Sequence, residues 1–86
     1  MHYVYILQSL TDNKHYTGAT DDLQNRLKLH NINQVITTKN RGPFKLIYYE
    51  ACDNQQDSYA REKYLKSGMG KRYIKNRLKR FLTLTR

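Results

Sequence analysis

The alternation of apolar and polar residues predicts three strands. The segment HYVYILQSL, residues 2–10, is rich in β-branched and aromatic residues and predicts a strand. KHYTGAT, residues 14–20, predicts the strand that returns after a turn. KLIYYEAC, residues 45–52, is the most continuous apolar run, and it predicts a third strand after a loop that Gly42 and Pro43 close.

A helical spacing of apolar residues predicts three helices. Residues 22–30 predict the first, which begins with a capping-box variant from Asp21 and has one face formed by Leu23, Leu27 and His30. Residues 56–67 predict the second, ended by Gly68-Met69-Gly70. Residues 71–82 predict the third, with an apolar stripe at Ile74, Leu78, Phe81 and Leu82. The order ββαβαα predicts an α+β fold, an antiparallel sheet of about three strands flanked by helices.

The tyrosines of the first two strands have a predicted register. If the hairpin pairs through a two-residue turn at Thr11 and Asp12, Tyr5 lies opposite Gly18 and Tyr16 lies opposite Leu7. Opposite residues share a face, so the two tyrosines are diagonal neighbours, and Gly18 leaves space beside Tyr5. A shift of one residue would place the tyrosines on opposite faces.

Composition adds limits on the class of protein. A chain of 86 residues predicts one domain, residues 1–86, with a thin core. The single cysteine excludes an internal disulfide and is typical of a reducing compartment. No apolar run approaches the length of a membrane span. We therefore expect a cytoplasmic protein without a membrane partner.

The positive charge is confined to one end of the chain. Residues 61–86 contain ten Lys and Arg with one acid, whereas residues 1–60 contain six basic and six acidic residues. Such segregation is typical of a polyanion partner, usually nucleic acid. A solvated helix end or a patch for anionic lipid would have the same composition. Candidate contacts to a nucleic-acid backbone are Lys14, His15, Lys39, Arg41, Lys71, Arg72, Lys75, Arg77, Lys79 and Arg80.

Two tripeptides in the predicted hairpin resemble a known signature. Tyr3-Val4-Tyr5, ten residues and Tyr16-Thr17-Gly18 are similar to the signature of the GIY-YIG nuclease superfamily. Nearly the whole chain resembles that family, most closely its small stand-alone bacterial members, which are similar to the N-terminal nuclease module of the repair excinuclease UvrC. Tyr3 and Thr17 depart from the signature without changing a residue of chemical role. The supporting features are Asp22-Leu23, Arg26-Leu27, His30-Asn31, Arg41-Gly42-Pro43-Phe44, Tyr48-Tyr49-Glu50 and Arg61-Glu62-Lys63.

The resemblance implies hydrolysis of phosphodiester bonds in DNA, with RNA not excluded. It implies one divalent metal ion, Mg²⁺ or Mn²⁺, held by Glu62 on the second helix. One tyrosine would position or deprotonate the attacking water, and the second would contact the scissile phosphate or the metal-bound water. An arginine would neutralise the charge of the phosphate. A histidine would relay a proton or contact the phosphate, and an asparagine would support the site. The residues that match these roles are Tyr5, Tyr16, Arg26, His30 and Asn76.

The sequence is consistent with two roles for Glu62, metal binding and an ion pair with a basic side chain. It is the one acid among ten basic residues, and its spacing from Leu65 directs it inward, where a carboxylate needs a cation. That cation could be a metal ion. It could equally be the side chain of Arg61, Lys63 or Lys66.

The remaining candidate residues also have structural roles that the sequence leaves open. Tyr5 and Tyr16 could pack in the core, and Arg26 could pair with Asp22, four residues earlier. His30 could interact with the dipole at the end of its helix. Asn76 could face solvent between basic neighbours.

Two functions without catalysis fit the same composition. The first is a catalytically inactive nucleic-acid-binding module that uses the basic C-terminal segment. The second is a protein-interaction domain that uses exposed aromatic side chains. For a nuclease of this size, which has no room for a separate recognition domain, we expect little sequence specificity. A single small site predicts nicking by a monomer.

Overall fold

The computed structural model describes residues 1–84 and confirms the predicted α+β fold. Two antiparallel pairings give a sheet in the order β2-β1-β3. None of the helices within residues 1–84 combines the length and the apolar character needed to cross a bilayer. The elements, in chain order, are β1 His2–Ser9, β2 His15–Thr20, α1 Leu23–Asn31, a 3-10 helix Ile36–Thr38, β3 Phe44–Cys52, α2 Gln55–Lys66, α3 Gly68–Arg77 and α4 Lys79–Leu84.

The central strand β1 is buried on both faces because helices cover both sides of the sheet. Val4 and Ile6 pack against α2 and α3 on one face. Tyr5 and Leu7 point to the opposite face, where leucines of α1 cover them. Successive side chains of a strand alternate between faces, so a strand covered on both sides has a continuous apolar run. This arrangement places Tyr5 beneath α1.

A bulge in β3 explains its unusually continuous apolar sequence. Leu46 pairs with Leu7 and Tyr48 pairs with Ile6, so Ile47 is an extra residue in the ladder. One extra residue reverses the faces of all that follow it. Leu46 therefore packs on the α1 side, whereas Ile47 and Tyr48 pack on the side of α2 and α3.

The predicted hairpin register is correct, but the predicted two-residue turn is wrong. Tyr5 pairs with Gly18 and Leu7 with Tyr16, as expected. The strands end at Ser9 and begin at His15, and the Asn13 amide donates to the Ser9 carbonyl at 3.0 Å. Asn13 adopts φ 61°, a left-handed conformation that asparagine tolerates better than most residues. The register is preserved because the last pair of the ladder is Gln8 and His15, and the six residues between them, 9–14, are centred on the predicted turn.

The helix ends differ from the predicted ones for local reasons. The N-cap of α1 is Asp22, not Asp21, and its side chain accepts the amide of Asn25 at 3.1 Å. Part of the predicted loop before β3 forms the 3-10 helix. The predicted third helix is two helices, α3 and α4, separated at Leu78. The backbone of Leu78 is not helical, and its side chain packs against the core formed by β1, α2 and α3.

The second helix ends at Lys66, one residue before the predicted end, but the third helix begins at Gly68 and not at the predicted residue 71. Ser67 ends α2 and also caps α3, since its side chain accepts the Gly70 amide at 3.2 Å. A Cβ at Gly70 would overlap the backbone of Tyr64 and Leu65. Gly70 therefore permits a close approach of two helices instead of ending one.

Candidate active site

A cleft of about 970 Å³ lies along the edge strand β2 and contains most of the predicted site. Its walls come from β1 and β2, from α1, and from α2 and α3. Five residues that the sequence predicts as site residues line it together: Tyr5, Tyr16, Arg26, His30 and Glu62. The cleft is therefore the place where these side chains can act on one bound molecule.

Tyr5 is a buried phenol with two polar partners. The side chain is 3% exposed, and its hydroxyl lies 2.8 Å from Nε2 of His30. Nε of Arg26 donates to the same oxygen at 3.3 Å. Burial raises the pKa of Tyr5, and the hydrogen bond from Arg26 opposes this shift only in part. The phenol is therefore neutral at physiological pH, and its hydroxyl is held in the cleft by specific bonds as well as by packing.

Gly18 is what allows the Tyr5 ring to lie where it does. A Cβ at Gly18, directly across the ladder, would overlap the Tyr5 hydroxyl. The sequence predicts a free space at Gly18, beside Tyr5. In the structure the hydroxyl end of the Tyr5 side chain fills that space. Glycine at this position sets the location of the hydroxyl group.

His30 is buried at the last turn of α1 and points into the protein. It is 4% exposed, and its ring packs edge-on against Phe44 with centroids 5.8 Å apart. Its second nitrogen, Nδ1, lies 2.7 Å from the hydroxyl of Thr38. Burial, with a smaller effect from the charge of Arg26, lowers the pKa of His30. The imidazole is therefore neutral near pH 7, and its polar contacts are side chains of the cleft rather than the helix terminus.

Arg26 points to the cleft instead of pairing with Asp22. The carboxylate of Asp22 caps α1, while Nε of Arg26 donates to Tyr5. A guanidinium has five N–H donors, so the bond to Tyr5 leaves others for an anion in the cleft. Arg26 can therefore hold Tyr5 and a phosphate oxygen at the same time.

Tyr16 lies beside this network on the same face of the sheet. Its ring packs edge-on against Phe44, with centroids 5.4 Å apart, and the residue is half-buried. It also lines the cleft. One ring can therefore contribute to the core while its hydroxyl end faces the space where a ligand would bind.

Glu62 is the only acid among the described residues that line the cleft. Its side chain is 23% exposed, and Oε2 lies 3.0 Å from Nζ of Lys66, one helical turn later. Arg61, another possible partner, instead forms a two-bond ion pair with Glu50, at 2.9 and 3.0 Å. Lys66 is thus the cation that the protein itself provides to Glu62.

The cleft fits a hard divalent cation that is held by few protein ligands. Within residues 1–84, no group of three or more His, Cys, Asp or Glu side chains could hold a metal ion. Mg²⁺ is usually bound through one or two carboxylates and keeps several waters, with substrate phosphates completing its shell. Glu62 is a half-buried carboxylate in the same cleft as Arg26, so it meets this requirement and is the residue that would hold the ion.

Replacing Lys66 with Met should make Glu62 easier for a metal ion to reach. An exposed pair one turn apart on a helix is worth about 0.3–0.5 kcal/mol, which is about a twofold change in affinity. We expect Lys66→Met to raise Mn²⁺ affinity by about that factor, measured by electron paramagnetic resonance without nucleic acid. Lys63→Met, one position after Glu62 and exposed, is the matched control. Equal affinities in all three proteins would show that Lys66 does not compete for the carboxylate.

The remaining predicted residues divide into two groups. Lys14, His15, Lys71 and Lys75 line the cleft. Asn76 is exposed and is not among the lining residues, so the structure does not bring it to the rest of the site. The other predicted basic residues are exposed and lie outside the lining: Lys39, Arg41, Arg72, Arg77, Lys79 and Arg80.

Of the three basic residues that the sequence offers as partners of Glu62, the structure selects Lys66, which also lines the cleft. One residue that contributes to the site is not predicted by the sequence patterns. Thr38 also lines the cleft, but it comes from the segment predicted as a loop. A threonine in a loop gives no sequence signal of a contact with a helix residue eight positions earlier.

Comparisons with known proteins show the family of this chain. The GIY-YIG catalytic domain family matches residues 1–79. A UPF0213 protein of Clostridium perfringens is 43% identical over 67 residues, which cover 77% of this chain and 71% of that protein. A UPF0213 protein of Pediococcus pentosaceus is 39% identical over 84 residues, which cover 96% of this chain and 87% of that protein.

A solved structure shows the same fold. The solution NMR structure of a UPF0213 protein from Bacillus halodurans matches with a TM-score of 0.52 and 34% identity, over 85% of this chain and 80% of that one. The family match and the shared fold therefore give the class of this chain, which is that of GIY-YIG catalytic domains. The chain belongs to the GIY-YIG family.

Proposed function

We propose that this protein is a metal-dependent endonuclease that hydrolyses phosphodiester bonds in DNA, nicking one strand with little sequence specificity. The observation that supports this most directly is the bonded set of Tyr5, His30 and Arg26 in the same cleft as Glu62. Together, a buried phenol, a neutral imidazole, a guanidinium and a carboxylate can supply the proton transfer and the charge stabilisation from which phosphodiester hydrolysis gains.

The hydrogen bonds suggest how a neutral tyrosine can act as a base. The pKa of Tyr5 is raised by burial, so the phenolate is scarce at neutral pH. The hydroxyl is 2.8 Å from His30 Nε2, however, and can pass its proton there as it takes one from the attacking water. The water oxygen then bonds to phosphorus while the bond from phosphorus to the leaving oxygen breaks, and the leaving oxygen takes a proton from solvent water. Tyr5 stays uncharged throughout, and His30 ends as the imidazolium.

The remaining cleft residues stabilise the charge on the phosphate. Arg26 can donate to a phosphoryl oxygen while it holds Tyr5. Glu62 would hold the divalent cation, Mg²⁺ or Mn²⁺, whose chemistry is to stabilise negative charge on the phosphoryl and leaving oxygens. Lys14, Lys71 and Lys75 line the cleft and can contact neighbouring phosphates. Contacts to phosphates carry no sequence information, which is why we propose weak specificity.

A nicking assay on supercoiled plasmid tests this function. The protein is incubated with Mg²⁺, Mn²⁺ or EDTA, beside a Glu62→Gln preparation purified in the same way. We expect conversion of supercoiled to open-circular plasmid with either metal, none with EDTA, and almost none with the variant. Accumulation of open circles before any linear product would support one-strand cleavage by a monomer.

The same assay separates the nuclease from a binding module. A protein that shifts DNA in a gel, with or without metal, but leaves both plasmid and branched or single-stranded DNA intact would contradict the proposed activity. Such a protein would be a binding module that uses the lysines of α3. Unchanged DNA binding in Glu62→Gln would accompany that result, since a binding module does not need the carboxylate.

A further inference from the structure

The buried histidine of the cleft is held on its second nitrogen by a residue of the 3-10 helix. Thr38 Oγ1 lies 2.7 Å from His30 Nδ1. Thr38 is 1% exposed and His30 is 4% exposed, so water cannot replace either partner without a rearrangement of the core. Every buried side-chain polar atom within residues 1–84 has a hydrogen-bond partner. The contact between Thr38 and His30 provides that partner for His30 Nδ1.

The donors and acceptors along this chain of contacts favour one tautomer of His30. Nε of Arg26 can only donate, so the Tyr5 oxygen accepts from it. If His30 carried its proton on Nε2, the same oxygen would accept a second time. The Tyr5 proton would then have no acceptor among the contacts of the described residues. With the proton on Nδ1, Tyr5 donates to Nε2 and every donor has an acceptor.

The far end of the chain of contacts agrees with this direction. With the proton on Nδ1, His30 donates to the Thr38 oxygen, and the Thr38 hydroxyl hydrogen is free to point elsewhere. The carbonyl oxygen of Val35 lies 3.5 Å from Thr38 Oγ1, in a direction that this hydroxyl can use. The bonds then run in one direction, from Arg26 through Tyr5, His30 and Thr38 to Val35.

We propose that Thr38 is a positioning residue that holds His30 in its Nδ1–H form, so that Nε2 can receive the proton of Tyr5. The catalytic part of this inference rests on the proposed nuclease function, whereas the control of the tautomer by Thr38 does not. If the neutral imidazole carried its proton on Nε2, this nitrogen would have no free lone pair, and Tyr5 could not pass its proton to it. The 3-10 helix therefore contributes to the site although none of its atoms needs to touch DNA.

The tautomer can be read directly by ¹⁵N-detected NMR of the imidazole nitrogens, without any DNA or metal. The three histidines are His2, His15 and His30, and a His30→Gln sample identifies the signals of His30. In the wild type we expect a protonated Nδ1 and an unprotonated Nε2. Thr38→Val replaces the hydroxyl with a methyl group of similar volume and should raise the Nε2–H population. Thr38→Ser keeps the hydroxyl and should retain the wild-type spectrum.

Steady-state nicking supplies the second readout. We expect Thr38→Val to lower kcat about tenfold with KM for the plasmid changed by no more than about twofold, because outer partners that orient a histidine typically contribute this much. Thr38→Ser should recover kcat. A purely structural role of Thr38 predicts lower thermal stability without a change in the histidine spectrum.

The inference is overturned if wild-type His30 carries its proton on Nε2, or if Thr38→Val leaves the spectrum unchanged. Should Thr38→Val fail to fold, Thr38→Ala removes the hydroxyl without introducing a new methyl position and gives the same comparison. If the wild type cleaves no DNA with any metal, the proposed function fails, while the NMR comparison still decides whether Thr38 sets the tautomer.

Discussion

Replacing Glu62 with Gln should reduce metal-dependent nicking by at least about a hundredfold, because a neutral amide cannot supply the charge that a hard cation requires. The loss corresponds to about 2.7 kcal/mol of transition-state stabilisation. The substitution keeps the shape of the side chain, so the fold should be retained. Initial rates on supercoiled plasmid with Mn²⁺, together with Mn²⁺ binding by electron paramagnetic resonance, measure both consequences.

Asp53→Asn is the matched control for this substitution. Asp53 is an exposed acid just before α2, outside the cleft, so its neutralisation changes net charge by the same amount. We expect the nicking rate of Asp53→Asn to remain within about twofold of the wild type, since substitutions of exposed residues away from a functional site have small effects. Equal rates for Glu62→Gln and the wild type would remove Glu62 from the site, whatever the activity of the protein.

The hairpin could be predicted in detail because its information is local. Strand alternation and the fixed pairing of a short hairpin place Tyr5 opposite Gly18 from the sequence alone, and the ladder has that pairing. The longer loop does not change the register, because the residues between the last pair, Gln8 and His15, are centred on the predicted turn. The direction of Glu62 follows in the same way from its spacing relative to Leu65, which is buried.

The contacts between distant segments could not be predicted from spacing. Thr38 reaches His30 through a 3-10 helix whose sequence, Ile36–Thr38, has no apolar period and is typical of a loop. The role of Gly70 depends on how closely two helices approach, which the sequence cannot show. A pair of glycines in this position therefore indicates a helix end, the more frequent meaning of such residues.

The partners of the charged side chains also depend on the tertiary structure. Arg61 is adjacent to Glu62 in sequence but turns to Glu50 of β3, which leaves Lys66 as the partner of Glu62. Asp22 caps α1, which leaves Arg26 available to Tyr5. In both cases a local pair that the sequence allows is replaced by a contact between elements. These contacts between elements are what bring Arg26 to Tyr5 and leave Glu62 paired with Lys66 in the cleft.

Adding one methyl group at Gly18 should inactivate the site nearly as completely as removing the Tyr5 hydroxyl. A Cβ there would overlap that hydroxyl, so in Gly18→Ala the Tyr5 ring must move and its bond to His30 is lost. We expect a loss of about a hundredfold in nicking rate, the size that misplacement of a catalytic group by about 1 Å can cause. Overpacking should also lower the free energy of unfolding by about 1–3 kcal/mol, measured by thermal denaturation. Gly68→Ala is the matched control, because nothing lies within 4 Å of a Cβ at that position.

The double variant distinguishes this mechanism from a general loss of stability. Tyr5→Phe alone should lower the nicking rate about a hundredfold, because it removes the group that passes the proton to His30. The double variant carries Gly18→Ala and Tyr5→Phe. If Gly18→Ala acts only by displacing the Tyr5 hydroxyl, the double variant should be no slower than Tyr5→Phe, since the effects of substitutions at contacting residues do not add. If the rate reduction in the double variant equals the product of the two single reductions, the methyl group at position 18 affects the site independently of the Tyr5 hydroxyl. Full activity of Gly18→Ala at a temperature where it is folded would contradict the placement of the Tyr5 hydroxyl against β2, and with it the proton path to His30.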